Sequence, residues 1–444
     1  LPDCRWHSSM FAIVAFGLLV CWSNAVGGLI LAQLKALGWT DNSTTATFSA
    51  ITTAGMFLGA LVGGIIGDKT GRRNAFILYE AIHIASMVVG AFSPNMDFLI
   101  ACRFVMGVGL GALLVTLFAG FTEYMPGRNR GTWSSRVSFI GNWSYPLCSL
   151  IAMGLTPLIS AEWNWRVQLL IPAILSLIAT ALAWRYFPES PRWLESRGRY
   201  QEAEKVMRSI EEGVIRQTGK PLPPVVIADD GKAPQAVPYS ALLTGVLLKR
   251  VILGSCVLIA MNVVQYTLIN WLPTIFMTQG INLKDSIVLN TMSMFGAPFG
   301  IFIAMLVMDK IPRKTMGVGL LILIAVLGYI YSLQTSMLLI TLIGFFLITF
   351  VYMYVCYASA VYVPEIWPTE AKLRGSGLAN AVGRISGIAA PYAVAVLLSS
   401  YGVTGVFILL GAVSIIVAIA IATIGIETKG VSVESLSIDA VANK

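Results

Sequence analysis

Arg384 interrupts a long apolar segment and is well suited to bind a charged ligand there. It lies ten residues beyond Arg374, which marks the start of the segment, so a helix would carry it about 15 Å inward. A guanidinium in such a place binds a carboxylate through two parallel hydrogen bonds. A structural bond to carbonyl groups of a neighbouring helix is the alternative. We favour ligand binding for Arg384, with Asn380 one turn earlier on the same face.

A pair of titratable groups, Glu80 and His83, lies three residues apart in another apolar segment. On a helix these side chains would be neighbours and could share a proton. A local hydrogen-bonded pair with no role in proton movement fits the spacing equally well. Arg103, in the following apolar segment, is also a candidate, because a charged group inside a membrane span is functional by default.

Polar and aromatic side chains recur along the apolar segment near residues 250–279. Asn262, Tyr266 and Asn270 are four residues apart and form one stripe on a helix. Side chains of this kind bind a small polar ligand. The predicted binding residues besides Arg384 and Asn380 are Asn24, Gln265, Tyr266, Asn270, Trp271, Tyr354 and Tyr357.

The composition indicates which elements position these residues. Of the 444 residues, 57% are hydrophobic and 12% are charged, about half the ~25% charged fraction of a soluble domain. Apolar runs of about 20 residues recur, and each is long enough to cross a ~30 Å hydrocarbon core. A soluble enzyme is excluded. We predict an all-α polytopic membrane protein with twelve transmembrane helices, near residues 10–34, 44–67, 74–93, 97–121, 134–159, 167–187, 250–279, 286–308, 316–333, 336–362, 376–399 and 403–425.

The basic residues predict the orientation. With the N-terminus inside, three of the 30 Lys and Arg residues face outward and two lie deep within spans. The other 25 lie in cytoplasmic segments or at the cytoplasmic ends of spans. The formal charge of +8 is therefore a topology signal, and nucleic-acid binding is not expected. Both termini are predicted to be cytoplasmic. No cleavable signal precedes the first span, so we expect that span to be retained.

The two halves of the sequence repeat each other. Glycines recur every fourth residue at 55, 59, 63 and 67, and small residues return 241 positions later at 296, 300 and 304. The loop 68–73 (DKTGRR) returns at the same offset as 309–314 (DKIPRK). Helix packing explains each glycine row, but the joint repeat of loops and helices implies two homologous halves. We predict an N-terminal bundle at 1–187, a cytoplasmic linker at 188–248 and a C-terminal bundle at 249–444.

The loop segment 64–73 (GIIGDKTGRR) resembles the signature loop of the major facilitator superfamily. The segments 103–109 (RFVMGVG), 123–131 (EYMPGRNRG), 188–193 (PESPRW) and 364–369 (PEIWPT) resemble its sugar-porter and metabolite–proton symporter branch. The resemblance covers the whole chain, and within the branch it is to an enterobacterial inner-membrane metabolite transporter. It implies two pseudo-symmetric six-helix bundles around a central cavity that work by alternating access.

The resemblance also implies a gate formed by charged residues at the cytoplasmic ends of the helices. Carboxylates near helix N-termini and guanidinium partners can hold the two bundles together there. The alternative is a set of solvated surface ion pairs. Pro312 replaces the turn glycine of the second loop, so that loop is expected to gate less tightly. The gate residues are Asp68, Arg72, Glu123, Arg130, Glu189, Arg192, Asp309, Arg313, Glu365 and Arg374.

The expected coupling ion and cargo depend on the positions at which this sequence differs from other members of the branch. Arg103 is at a position associated with proton coupling, and a structural bond from it to the first helix is the alternative. Trp22 and Ala25 stand where acidic residues would be expected, which leaves Glu80 and His83 as the titratable candidates. Facilitated diffusion therefore stays open beside proton symport.

The residues typical of hexose carriers are replaced, with Ala260, Met261, Tyr266 and Ala360 at their positions. Together with Arg384, this favours a small organic acid as cargo, and a sugar or polyol is the alternative. A channel or an intramembrane enzyme would need a selectivity filter or a cluster of metal ligands or nucleophiles, which the sequence does not offer. We expect no metal and no cofactor, a monomer, and the lipid bilayer and protons as partners.

Overall fold

The computed structural model describes residues 5–20, 22–124, 130–219, 222, 238–308, 310–368 and 371–428. Each regular element in these ranges is a helix, because a helix satisfies its own backbone hydrogen bonds inside a membrane. The first half of the chain contains α1 (Arg5–Val20), α2 (Gly27–Ala36), α3 (Asn42–Thr70), α4 (Arg72–Ala91), α5 (Met96–Tyr124), α6 (Arg130–Asn142), α7 (Ser144–Leu155) and α8 (Ala161–Tyr186).

Two polar helices, α9 (Pro191–Ser196) and α10 (Tyr200–Thr218), and a 3-10 helix at Tyr239–Leu243 follow. The second half contains α11 (Gly245–Thr278), α12 (Leu283–Met294), α13 (Gly296–Val307), α14 (Arg313–Ser332), α15 (Met337–Val355), a π-helix (Cys356–Tyr362), α16 (Val363–Glu365) and α17 (Lys372–Ile424). Some helix starts are capped by polar side chains. The Asp41 carboxylate accepts the Thr44 N–H at 2.7 Å at the start of α3, and this hydrogen bond holds the pKa of Asp41 below its ordinary value.

Nine helical segments of the described chain are long and apolar enough to cross a membrane. Twelve were predicted. The number is lower because the first predicted span is divided between α1 and α2, and the fifth between α6 and α7. The last two predicted spans are continuous in the 53-residue α17, which has a non-helical residue at Gly402 (φ 65°). The class of an all-α membrane protein is confirmed.

Close backbone contacts through glycine recur in the two halves. In α3, a Cβ at Gly59 would lie 2.1 Å from the carbonyl oxygen of Val108 in α5. In α13, a Cβ at Gly300 would lie 2.3 Å from the carbonyl oxygen of Thr349 in α15. The packing of α3 on α5 is thus repeated by α13 on α15, as small-xxx-small faces allow.

The chain forms two compact units: the first comprises Leu1–Val26, Ile51–Ser144 and Ile159–Asp229, and the second Gly27–Ala50, Tyr145–Leu158 and Asp230–Lys444. An apolar core in the first unit includes Phe76, Leu113, Trp133 and Phe187. In the second unit α11 is buried along most of its length. Here α2 packs closely on α11, since a Cβ at Gly28 would lie 2.4 Å from the Ile269 carbonyl oxygen.

Candidate functional site

Arg384 lies within α17, three turns from its start. The residue is half-buried, and its Nη1 atom is buried with no hydrogen-bond partner among the described residues. Asn380 is exposed, and its amide donates to the Ser376 carbonyl of the same helix at 2.9 Å. Next to Arg384, Gly383 allows α11 to approach closely, because a Cβ there would lie 3.0 Å from the Nδ2 atom of Asn262. The helix of Arg384 therefore packs on the polar stripe of α11.

The stripe on α11 is buried within the second unit. Asn262, Tyr266 and Asn270 are each less than a tenth exposed, and Asn262 donates to the Leu258 carbonyl at 2.7 Å. Trp271 is fully buried, and its indole N–H has no hydrogen-bond partner within the described ranges. Gln265 is half-buried. These groups supply several amide and indole donors inside an apolar helix.

Aromatic rings from the tenth predicted span lie in the same unit. The Tyr354 hydroxyl donates to the Val257 carbonyl of α11 at 3.1 Å. Its ring lies 5.7 Å from that of Tyr357, which stacks on Tyr362 at 5.0 Å. Tyr357 and Tyr362 belong to the π-helix, a rare element that often marks functional sites.

Two further tyrosines near the stripe were not predicted. The rings of Tyr145 and Tyr352 meet edge to face at 5.4 Å in the second unit. Their sequence signal is weak, because tyrosine in an apolar helix is also an ordinary core residue. Asn24, the remaining predicted binding residue, is half-buried in the turn between α1 and α2, in the first unit.

The three proton-coupling candidates meet around one serine in the first unit. His83 Nδ1 lies 3.6 Å from Glu80 Oε2, and His83 Nε2 lies 2.7 Å from Ser23 Oγ. Arg103 Nη1 donates to the Ser23 carbonyl at 2.6 Å, and its Nε donates to Thr52 Oγ1 at 3.2 Å. Ser23 was not predicted from the sequence. The feature that could have indicated it is its hydroxyl, which lies between Trp22 and Ala25, the positions where acidic residues would be expected in the branch.

The first arginine loop is held by the segment that follows α8. The Glu189 carboxylate accepts the backbone N–H groups of Arg72 at 2.6 Å and Arg73 at 3.2 Å, so it caps the N-terminus of α4. Arg72 Nη1 lies 2.6 Å from Asp68 Oδ1. The Asp68 carbonyl in turn accepts Trp193 Nε1 at 2.8 Å and Arg197 Nη2 at 2.7 Å. The loop is thus held by the carboxylate cap on α4 and by the hydrogen bonds to the Asp68 carbonyl.

The second arginine loop is held in a related way. The Glu427 carboxylate accepts the N–H groups of Arg313 at 2.7 Å and Lys314 at 3.1 Å, and so caps α14. The Arg313 guanidinium contacts both oxygens of Glu365, at 3.0 and 3.1 Å. Thr428 Oγ1 donates to Glu365 Oε2 at 2.6 Å. Glu427 was not predicted, although a Glu followed by a hydroxyl residue ends the last span of each half.

Other predicted gate residues are described in part. Asp309 lies outside the described residues. For Glu123, Arg130 and Arg192 the description is limited to their helical backbone. Arg374 is half-buried and places its guanidinium 5.2 Å from the centre of the Tyr239 ring. Within the described ranges, no group of three or more His, Cys, Asp or Glu residues is placed to hold a metal ion.

Duplicated arginine loops and a half-buried arginine in a helix that packs on a polar stripe are features of polytopic transport proteins. Comparison with known families agrees with this class. The Major Facilitator Superfamily model matches residues 11–391, so the chain belongs to that superfamily.

Individual relatives are consistent with this membership. The chain is 43% identical over 440 residues to the inner membrane metabolite transport protein YdjE of Escherichia coli (strain K12), covering 98% of this chain and 96% of the relative. It is 26% identical to the niacin transporter NiaP of Acinetobacter baylyi (strain ATCC 33305 / BD413 / ADP1), covering 99% and 98%. The fold matches a partially occluded inward open conformation of the xylose transporter XylE from E. coli, with a TM-score of 0.76 at 18% identity, covering 96% and 100%.

The predicted superfamily and fold class are therefore confirmed, as is the expectation of a transporter and not an enzyme. The chain is a membrane-spanning transporter of the metabolite and sugar type that acts on small molecules.

Proposed function

We propose that the protein carries a small organic acid together with protons, by alternating access between two six-helix bundles. Arg384 is the observation that carries this proposal. Its Nη1 atom is buried and has no partner in the described part of the chain, and the preceding residue, Gly383, packs closely on α11 at Asn262. Leaving a buried charged donor unpaired is costly, and a carboxylate ligand would remove that cost by a charge-assisted hydrogen bond.

The surrounding residues support a small ligand with polar and flat apolar surfaces. The Trp271 indole N–H and the amides of Gln265 and Asn270 can donate to a carboxylate or ring heteroatom. Tyr354 and Tyr357 supply aromatic surface, and Asn380 is the proposed polar group one turn before Arg384. Asn24, in the first unit, stays a prediction from the sequence. Pockets for small molecules combine apolar walls with a few polar groups in this way.

One relative and the replaced hexose-carrier residues support an acid as cargo. Niacin, which names one relative aligned over nearly the whole chain, is an aromatic carboxylic acid. The xylose transporter supports the fold at 18% identity, and the residues typical of hexose carriers are replaced in this sequence. A sugar or polyol as cargo is an outcome that the experiment below can detect.

The proposed setting is the bacterial inner membrane, as for the relative named an inner membrane protein. Both termini are proposed to be cytoplasmic, with bundles at 1–187 and 249–444 joined by the linker 188–248. The protein is proposed to act as a monomer in the lipid bilayer. The positive-inside distribution of Lys and Arg supports this orientation.

The two capped arginine loops are proposed to form the cytoplasmic gate. Because each loop fixes the N-terminus of a helix through a carboxylate, a change of that contact would tilt the helix. Proton coupling is proposed for Glu80, His83 and Arg103, which lie together in the first unit.

Uptake by purified protein in liposomes tests the acid proposal directly. We expect saturable uptake of labelled nicotinate, and Arg384→Gln should lower its kcat/KM by about 10- to 100-fold, the loss of one charged hydrogen bond. Arg384→Lys should retain part of the kcat/KM that Arg384→Gln loses, because lysine keeps the positive charge. Arg185→Gln, which changes an exposed arginine at the end of α8, is the matched control and should transport normally.

D-xylose measured in parallel distinguishes the cargo classes. Saturable xylose uptake that is unaffected by Arg384→Gln, without nicotinate uptake, would show that the cargo is a sugar. Equal nicotinate uptake by wild type and Arg384→Gln would remove Arg384 from the binding site. Alkaline phosphatase and green fluorescent protein fusions at the two termini test the orientation.

A further inference from the structure

Four buried polar residues from three predicted spans form one connected group in the first unit. Ser23 lies in the turn that follows α1, Glu80 and His83 lie on α4, and Arg103 lies on α5. Glu80 and His83 are fully buried, and Ser23 and Arg103 are each 1% exposed. His83 contacts Glu80 through Nδ1 and Ser23 through Nε2, while Arg103 holds the carbonyl of the same serine.

The Glu80 carboxyl group is in an unusual environment. Neither of its oxygens has a hydrogen-bond partner among the described residues. The ionisable group recorded beside it is the His83 ring, with Nδ1 3.6 Å from Glu80 Oε2. An ionised carboxylate beside a neutral imidazole would bury a net charge at a cost of several kcal/mol. One proton held between the two residues makes the pair neutral overall.

Other ionisable groups around the pair are few. On α5, which packs on α4, the ionisable side chains that the structure describes are Asp97 in the first turn, Cys102 and Arg103. Three more helices pack on α4, and their ionisable residues lie at the helix ends: Arg5 and His7 in α1, Asp68 and Lys69 in α3, and Glu162, Arg166, Arg185 and Tyr186 in α8. Arg103 is connected to the pair through Ser23, whose carbonyl it binds and whose hydroxyl contacts His83.

The hydrogen bond to Ser23 depends on that proton. When the pair holds it, either as carboxylic acid with neutral ring or as carboxylate with imidazolium, Nδ1 faces Glu80 at 3.6 Å and Nε2–H donates to Ser23 Oγ. When the proton is lost, Nδ1–H faces the carboxylate and Nε2 becomes an acceptor, so the Ser23 hydroxyl must donate to it. Proton binding therefore reverses one hydrogen bond, whichever residue carries the proton.

Ser23 belongs to the break between α1 and α2. Residues 23–26 form a turn in which the Val26 N–H donates to the Trp22 carbonyl at 3.0 Å. Because the helix is interrupted, the Ser23 carbonyl is available to Arg103. The same serine thus connects the pair to a break in a span, and broken spans are where transporters change conformation.

We propose that Glu80 and His83 together hold the transported proton and that Ser23 relays its presence to the break between α1 and α2. The proton arrives from water on one side of the membrane and leaves to water on the other. Glu80 and His83 are the proton-binding residues, whereas Ser23 is a positioning residue. This proposal rests on the proposed proton-coupled transport and specifies where that coupling occurs.

A titration of His83 tests the pair without any substrate. The sequence contains two histidines, His7 and His83, so a His7→Gln background with ¹⁵N-labelled histidine isolates the His83 signal in NMR. We expect Glu80→Gln to change the pH at which the ring titrates. Ser23→Ala should change the Nε2 shift and leave the dependence on Glu80 intact. If the His83 ring titrates at the same pH whether residue 80 is Glu or Gln, the proposal is overturned.

Transport measured in two modes tests coupling. In liposomes with an imposed pH difference of one unit, wild type should accumulate nicotinate up to about tenfold per proton, after subtraction of protein-free liposomes. Glu80→Gln and Ser23→Ala should reduce the ratio to one, yet keep counterflow exchange within about twofold. Ser86→Ala removes a buried hydroxyl that donates to the His83 carbonyl and is the matched control with normal accumulation.

The outcomes separate this proposal from the choice of cargo. If wild type accumulates xylose and not nicotinate, the organic-acid proposal fails, and the same variants are then measured with xylose. Normal accumulation by Glu80→Gln, or loss of both accumulation and exchange in correctly folded protein, would overturn the proton assignment. If neither probe is carried, the His83 titration decides alone.

Discussion

The two arginine loops share a plan, and the ion pairs that the structure describes in them differ in how deeply they are buried. In each, a carboxylate from the end of the sixth span of its half caps the helix that begins at the arginine, Glu189 for α4 and Glu427 for α14. The pair of Arg72 with Asp68 has side chains that are 18% and 72% exposed. The pair of Arg313 with Glu365 has side chains that are 7% and 34% exposed.

This difference shows which part of the loop is essential to its architecture. The carboxylate cap is kept although a glycine in one loop is replaced by Pro312 in the other, so the cap does not depend on one turn conformation. The arginine pairs differ in burial, which determines their energy. The second loop, expected to gate less tightly, has the more buried and two-pronged pair. Its gating strength stays a prediction.

The largest effect is expected from Arg313→Gln. It leaves Glu365 without its two-pronged partner, and breaking a partly buried charged contact costs about 2–3 kcal/mol. The apparent melting temperature in detergent should fall by several degrees. Arg72→Gln, the matched change in the first loop, should cost less than about 1 kcal/mol. Equal losses would contradict the expected difference between the two loops.

Gly71→Ala should cost about 2 kcal/mol. Gly71 has a φ of 97°, and a Cβ there would meet the Glu189 carboxylate, so the change strains the backbone and displaces the cap. The control is Pro312→Ala at the same position of the repeat, where φ is −56° and an effect below about 1 kcal/mol is expected. Thermal unfolding of both variants checks this. A larger loss for Pro312→Ala would contradict the comparison.

Glu189→Gln and Glu427→Gln compare the caps themselves. Each removes a negative charge at a helix N-terminus and should lower stability by about 1 kcal/mol. Similar shifts in melting temperature would support equivalence of the caps. A shift confined to one variant would show that the two loops are held differently.

Asp68→Asn should have the smallest effect on stability, below about 0.5 kcal/mol, because its side chain is 72% exposed and pairs within one helical turn. We nevertheless expect reduced transport with normal membrane insertion, because the gate is proposed to depend on this charge. Uptake together with the amount of inserted protein checks both parts. Full activity would remove Asp68 from the gate.

The fold could be predicted from the sequence because its repeated patterns correspond to repeated contacts in the structure. The glycine rows of α3 and α13 and the two DK-containing loops were visible because a repeat places equal residues at equal intervals. Interruptions were harder to place: the breaks after Val20 and at Trp143 lie inside apolar runs, where hydropathy does not change.

Contacts between distant residues could be predicted less well. The spacing of Glu80 and His83 predicted their proximity because it depends on one helix. The contact of His83 with Ser23 depends on the rotation of one helix against another, which the spacing within one span does not determine. Glu427 was missed because its motif lacks the proline and tryptophan that make the Glu189 segment recognisable.

The position of Glu427 has a consequence for the order of assembly during synthesis. Glu189 follows the sixth predicted span, so the ribosome has made every residue of the first loop when half of the spans are complete. Glu427 follows the last span, so the N-terminus of α14 is synthesised more than a hundred residues before the carboxylate that caps it. The first loop can close cotranslationally, whereas the second closes only after the final span has left the ribosome.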